Sequence, residues 1–147
     1  MLDKGIKPSF LASDLNSINY TRGCFSFTEI MSQFMALGLT LEDVVRLSTV
    51  EPARVIKRES TLGRLQVGGH ADVSVLDLVD GRWEFTDRDG GRIVGEKTLV
   101  PVLTVRGGQI VTPDWGPHPW GWLPEPGGFA RMAPGERPSP PAPRETT

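Results

Sequence analysis

Apolar and polar positions change their spacing twice along the chain. Residues 1–60 open with a short, mostly apolar run, Ser9-Phe10-Leu11-Ala12-Ser13, which predicts a strand, and Asp14 follows it. Ser26-Phe27-Thr28-Glu29 has the spacing of a capping box, in which a hydroxyl and a carboxyl three residues apart serve the free amides of a helix start. Ile30, Met31, Phe34, Met35 and Leu37 then recur at helical spacing, and Gly38 supplies the stop. Thr40 opens a second helix with Glu42 and Asp43 in its first turn, where negative charge suits the helix dipole. Leu41, Val44, Val45, Leu47 and Ser48 form its expected inward stripe. Pro52 is placed as the first residue of a third, short helix reaching Ile56.

From residue 61 to 112 the period becomes two. Ala71–Leu78, Arg82–Thr86, Leu99–Val105 and Gln109–Val111 read as strands, Asp87–Gly91 as a turn, and Gly107-Gly108 as the tip of a hairpin. The pattern predicts a small antiparallel sheet of four or five short strands. Such a sheet needs a second layer to bury its apolar face. Two or three helices give it a modest core but not an obviously closed one, which points to a chain built as part of something larger.

Composition separates a third region. Ten of the 13 prolines and three of the four tryptophans (Trp115, Trp120, Trp122) fall in residues 113–147. Proline at this density excludes helices and ladders, so this stretch is expected to be extended or disordered. The Trp-rich part, Pro117–Pro124, has two readings: a strap across its own domain, or an exposed contact for a partner, since tryptophan is a favoured interface anchor. Three segments result: 1–60, 61–112 and 113–147.

Charge narrows the classes of partner. Lys+Arg 16 against Asp+Glu 18 leaves a net charge of -2, which argues against nucleic acid and anionic membrane surfaces. No run approaches the ~18 apolar residues of a membrane span. The amino-terminal residues lack the apolar core of a secretory signal, so a cytoplasmic location is expected. Cys24 is the one cysteine, which excludes an internal disulfide, and His70 and His118 are the two histidines. Cys24, in a Thr-Arg-Gly-Cys-Phe stretch, reads as an ordinary thiol rather than a nucleophile. Arg22 beside it is a guess for an anionic substrate group.

One long, ordered run carries a family resemblance. Thr49-Val50-Glu51-Pro52-Ala53-Arg54-Val55-Ile56 is followed by Leu62-Gly63-Arg64-Leu65-Gln66-Val67-Gly68-Gly69-His70-Ala71-Asp72-Val73-Ser74-Val75-Leu76-Asp77. This resembles the end of a metal-dependent amidohydrolase: a helix ending in an Asn-Pro-Ala-like turn, then Gly-x-Leu-x-x-Gly-x-x-Ala-Asp and an apolar strand. Gly5–Pro8 and Ser13-Asp14-Leu15 resemble the last barrel strand of the dihydroorotase-like deacetylase branch, and Leu99–Val111 its closing strands. The likeness covers roughly residues 5–115. It implies an α+β fragment: the last strand and helices of a TIM-like (β/α)8 barrel, then part of a small antiparallel β-sandwich domain, then the Pro-rich tail. Locally the run is architectural. Gly63 and Gly68-Gly69 are expected to turn the chain at positive φ, Asp72 to cap a turn through backbone amides, and His70 to be an exposed turn residue rather than a metal ligand.

The resemblance assigns chemistry to Asp14. In the family a carboxylate at the carboxyl end of the last barrel strand binds the metal and takes a proton from the attacking water. A divalent cation brings the pKa of its bound water down to ~7, and a neighbouring carboxylate accepts the proton and passes it to the leaving amine. Read from the sequence alone, Asp14 is better explained as a cap for the following turn, and it is the resemblance that favours the metal site. Asn16, standing where some relatives have histidine, and Asn19 are candidates for orienting a ligand or substrate. The family's His-x-His, bridging lysine and two later histidines are absent, and His70 and His118 lie downstream of Asp14 and cannot fill those places in chain order.

The resemblance therefore implies the carboxy-terminal part of a metal-dependent amidohydrolase or deacetylase acting on an amide, cyclic amide or ester, with zinc or another divalent metal in the intact enzyme. The isolated chain is expected to bind no metal tightly and to be inactive, as a truncated gene or incomplete gene reading would give. The alternatives are a split enzyme whose other chain carries the rest of the barrel, and a non-catalytic binding module that uses the Trp/Pro tail.

Overall fold

The computed structural model of the chain describes Gly5 and residues 7–14, 26–87 and 90–111. Asn16, Asn19, Arg22, Cys24, His118 and the whole 113–147 segment lie outside the described residues.

The segment 7–14 is irregular and belongs to no sheet, contrary to the strand expected at Ser9–Ser13. A strand requires a neighbour to receive its ladder, and none of the described strands pairs with it. It is held instead at buried Leu11, whose N–H donates to the Leu47 carbonyl at 2.9 Å.

Three helices follow. Helix α1 (Phe27–Ala36) starts at Ser26, whose hydroxyl accepts the Glu29 N–H at 3.1 Å, as the capping-box spacing predicts. Gly38, at φ +102, ends the turn that follows it, a conformation that a side chain disfavours. Helix α2 (Leu41–Ser48) is capped in the same way by Thr40, which accepts from the Asp43 N–H at 3.1 Å. Helix α3 (Val50–Val55) places Pro52 third rather than first. The shift costs nothing, since the amide proline lacks is one of the four a helix start leaves unpaired in any case.

The sheet has three strands in the order β1-β2-β3, all antiparallel: β1 (Val73–Thr86), β2 (Arg92–Arg106) and β3 (Gln109–Val111). Four or five short strands were expected. The two runs expected at Ala71–Leu78 and Arg82–Thr86 are one strand that starts at Val73, because a bulge absorbs the interruption: Asp80 pairs with Lys97 and Trp83 with Gly95, so Gly81 and Arg82 oppose Glu96 alone. A second irregularity sits where Val75 pairs with Leu103 and Leu76 with Pro101, leaving Val102 as the extra residue beside a proline that has no N–H for the ladder. Gly107 and Gly108, at φ +55 and +80, form the β2–β3 hairpin read from the sequence.

The core joins the two layers. Leu11, Met31, Leu39, Val44, Leu47 and Leu99 form one buried cluster, with Phe27, Phe34, Met35 and Leu76 packed against it. Phe85 and Trp83 are also buried. Gly95 permits this contact, since a Cβ there would stand 3.0 Å from the Ala36 methyl and 3.1 Å from the Phe85 ring. A buried hydroxyl ties helix to strand: Ser32 Oγ accepts the Leu99 N–H at 2.9 Å and the Thr98 hydroxyl at 3.2 Å, and donates to the Thr28 carbonyl at 2.7 Å. This buried contact, in which a helix side chain serves a strand amide, lies between positions 67 residues apart.

The expected inward stripe of α2 is half right. Val44 and Leu47 are buried, but Leu41 and Val45 face outward. The helix has two turns and one covering neighbour layer, so only a narrow face is enclosed. Leu37, Val55, Ile56, Leu65, Val67 and Ile110 are at least half exposed, and the apolar surface is left without a second covering layer among the described residues.

Candidate functional site

Asp14 stands three residues beyond the Leu11–Leu47 hydrogen bond that fixes its segment to the end of α2. It is exposed, and its backbone is in the left-handed region at φ +43. Few L-residues are found there, and aspartate is among those that tolerate it. Among the described non-glycine residues, Lys57 shares this feature. The carboxylate is thus presented at the surface on a constrained backbone, anchored on one side by a buried leucine. Asn16 and Asn19 lie outside the described residues, so Asp14 is the one proposed site residue that is placed.

The ligand count decides how far this group goes towards a metal. Among the described residues no three His, Cys, Asp or Glu side chains gather to hold an ion. A zinc site takes four ligands, or three with an open position, and one surface carboxylate is one ligand. The described residues of this chain do not by themselves make up a divalent-metal site.

His70 is exposed, in the turn before β1, as expected. It lines a depression of about 1000 Å³ between the outer face of α2 and the segment 61–74. Leu41, Val45 and Leu65 give this depression an apolar floor, and Arg46, Arg64 and His70 give it polar edges. Asp14 is not part of its lining, so the structure does not bring Asp14 and His70 together. Gly63, at φ +81, closes one end by passing against α3: a Cβ there would meet the Thr49 carbonyl oxygen at 2.6 Å. Asp72 does cap a turn, although a distant one: its Oδ1 accepts the Gly107 N–H at 2.7 Å, tying the start of β1 to the β2–β3 hairpin.

A charged chain runs beside the depression. Arg46 donates to Asp43 at 3.2 Å and to Glu51 at 2.7 Å, and Arg54 donates to Glu51 at 3.0 Å. Arg46 holds the Glu51 carboxyl below its ordinary range, with Arg54 adding to the effect. Arg46 likewise lowers Asp43, with Lys7 and Thr40 assisting, and both carboxylates raise the Arg46 guanidinium. Only part of this network is legible in the sequence. The i,i+3 spacings Asp43/Arg46 and Glu51/Arg54 carry its local signal, but the Arg46–Glu51 link crosses from α2 to α3 and depends on how the two helices meet.

Comparison with known proteins decides the family. The amidohydrolase family matches residues 1–112, three quarters of the chain. The chain belongs to that family. A deacetylase of Brucella anthropi is 30% identical over 111 residues, 76% of this chain and 27% of its own length. A deacetylase of Agrobacterium fabrum is 30% identical over 108 residues, 74% of this chain and 26% of its own. The chain thus spans about a quarter of the length of the curated relatives it matches. Among solved structures, a dihydroorotase superposes with TM-score 0.69 at 29% identity, and an adenine deaminase with TM-score 0.71 at 23%. Each superposition takes in 76% of this chain and 30% of the other. No helix among the described residues is long and apolar enough to cross a membrane.

Proposed function

We propose that this chain is the carboxy-terminal part of an amidohydrolase of the deacetylase type, carrying the last strand segment of a barrel, its final helices and the closing strands of a small β domain. The observation that carries the reading is the family match that begins at residue 1 and so includes the anchored, exposed Asp14. The names of the two relatives support an amide-cleaving activity. The apolar surface left open on the helices and sheet supports a larger body against which they pack.

In this reading Asp14 is the general base. Water adds to the amide carbonyl carbon, its proton passes to the Asp14 carboxylate, and the same proton goes to the amine as the C–N bond breaks. The remaining groups of the site, including any ligands for a divalent metal, come from the rest of the barrel, on the same polypeptide or on a second one.

Purified as 147 residues, the chain is expected to bind no stoichiometric zinc by elemental analysis and to leave N-acetylated amino acids intact. Joined to the remainder of the barrel it is expected to hydrolyse them, and Asp14→Asn is expected to lower kcat/KM by about 10²–10⁴-fold. Asparagine also accepts the left-handed backbone, so the variant should fold normally. Zinc binding with turnover by the 147-residue chain alone, or full activity of Asp14→Asn, sinks the proposal.

A further inference from the structure

The segment that carries Asp14 is tied to α2 at two places, through Lys7 and through Leu11. We propose that Leu11 is a positioning residue for the Asp14 carboxylate: its side chain in the core and its N–H on the Leu47 carbonyl set where that carboxylate stands relative to the end of α2. This rests on the reading of Asp14 as general base and names the group that places it.

The first observation is the anchor. Leu11 is 5% exposed and belongs to one buried cluster with Leu47 and Leu99. Its N–H donates to the Leu47 carbonyl at 2.9 Å. Leu47 lies in the last turn of α2, where a helix leaves carbonyls without partners of its own. The bond therefore satisfies two backbone groups that burial would otherwise penalise, one on each side of the contact.

The second is direction. Lys7 Nζ stands 3.9 Å from Asp43 Oδ2. Lys7 precedes Leu11 by four residues, and Asp43 precedes Leu47 by four. Four residues are about one helical turn, ~6 Å, so the segment follows α2 over that turn. The exposed ion pair adds little energy; it orients the segment that Leu11 holds. Arg46 bonds to Asp43 and to Glu51 of α3, which keeps this stretch of α2 in place.

The third is backbone. Asp14 follows Leu11 by three residues and stands at φ +43. A non-glycine residue keeps a left-handed backbone where its surroundings determine it. Proton transfer needs the carboxylate within hydrogen-bond reach of the water, and a displacement of ~1 Å costs ~10²-fold in rate.

The test has two parts. Amide hydrogen exchange is measured on the whole 147-residue chain. The Leu11 amide should be protected; in Leu11→Ala the amide at position 11 should exchange freely while that of Leu99, held by Ser32, stays protected. An unprotected Leu11 amide in the parent overturns the proposal. Kinetics are then measured on the chain joined to the remainder of the barrel, with an N-acetylated amino acid as substrate. Leu11→Ala should lower kcat by ~10²-fold with KM changed less than ~3-fold. Leu11→Met, which conserves volume, should keep kcat within ~3-fold of the parent. Leu99→Ala makes the same truncation in the same cluster but on β2, and should also leave kcat within ~3-fold. Parental kcat in Leu11→Ala, a loss confined to KM, or an equal loss of kcat in Leu11→Met or Leu99→Ala overturns the positioning role. Where Leu11→Ala also loses the Leu99 protection, the smaller truncation Leu11→Val replaces it; its kcat should fall at least ~5-fold, and parental kcat overturns the role. The two readings fail differently. Full activity of Asp14→Asn sinks the general-base reading, whereas an inactive Asp14→Asn beside a fully active Leu11→Ala overturns the positioning role alone.

Discussion

Replacing Ser32 by alanine probes the joint between helix and sheet. The side chain is fully buried, and its oxygen accepts both the Leu99 N–H and the Thr98 hydroxyl, which is itself 1% exposed. Ser32→Ala removes the acceptor and leaves two buried donors that water does not reach. Each such group costs ~1–3 kcal/mol. Alanine returns ~0.5 kcal/mol through its better helix propensity and the loss of the bond to the Thr28 carbonyl. The net destabilisation is ~1.5–5.5 kcal/mol. With a urea dependence of ~1.5 kcal/mol per molar, the unfolding midpoint should fall by ~1–4 M, and the Leu99 amide should exchange its hydrogen faster. Adding Thr98→Val removes one of the stranded donors, so the double variant should recover ~1 kcal/mol relative to Ser32→Ala. A midpoint for Ser32→Ala within ~0.5 kcal/mol of the parent, or no recovery in the double variant, refutes the reasoning.

The other predictions concern the backbone and the charged chain. Gly63→Ala should destabilise by ~2 kcal/mol or more, read as a lowered thermal midpoint, because the new methyl strikes the Thr49 carbonyl and the residue must hold a positive φ. Asp43 and Glu51 both have lowered carboxyl pKa values in the folded chain, so their contribution is full above the ordinary carboxylate range and is lost as pH falls through the lowered folded values. Stability should therefore drop on acidification below about pH 4, less steeply in high salt, and Glu51→Gln should flatten that part of the profile. An acid limb identical in parent and Glu51→Gln, measured by urea titration across pH 3–6, contradicts this assignment.

For the candidate site, what could be read in advance was a residue type beside a familiar run, not an environment. Asp14 could be named from its neighbours, but its exposure, its left-handed backbone and its anchoring through Leu11 to Leu47 follow from packing against a helix more than thirty positions away. Asp72 was identified as a cap, while its partner at Gly107 depended on the sheet register. The depression beside α2 was missed because Leu41 and Val45 have the identity of core residues. Apolar character says that burial is favourable; it does not say that a covering layer exists.

Local physics settled the elements. Ser26 and Thr40 start their helices because a hydroxyl serves amides within its own turn, and Gly38, Gly107 and Gly108 turn the chain because they lack a Cβ. Those interactions involve residues a few positions apart, so the sequence alone determined them, along with the change from helical to alternating period. Only the tertiary structure decided that four alternating runs make three strands, since a bulge is defined by the partner strand and Gly81-Arg82 becomes one only opposite Glu96. It also decided which face of α2 stays open and which strand amide Ser32 receives, because both depend on groups that meet across long loops of chain.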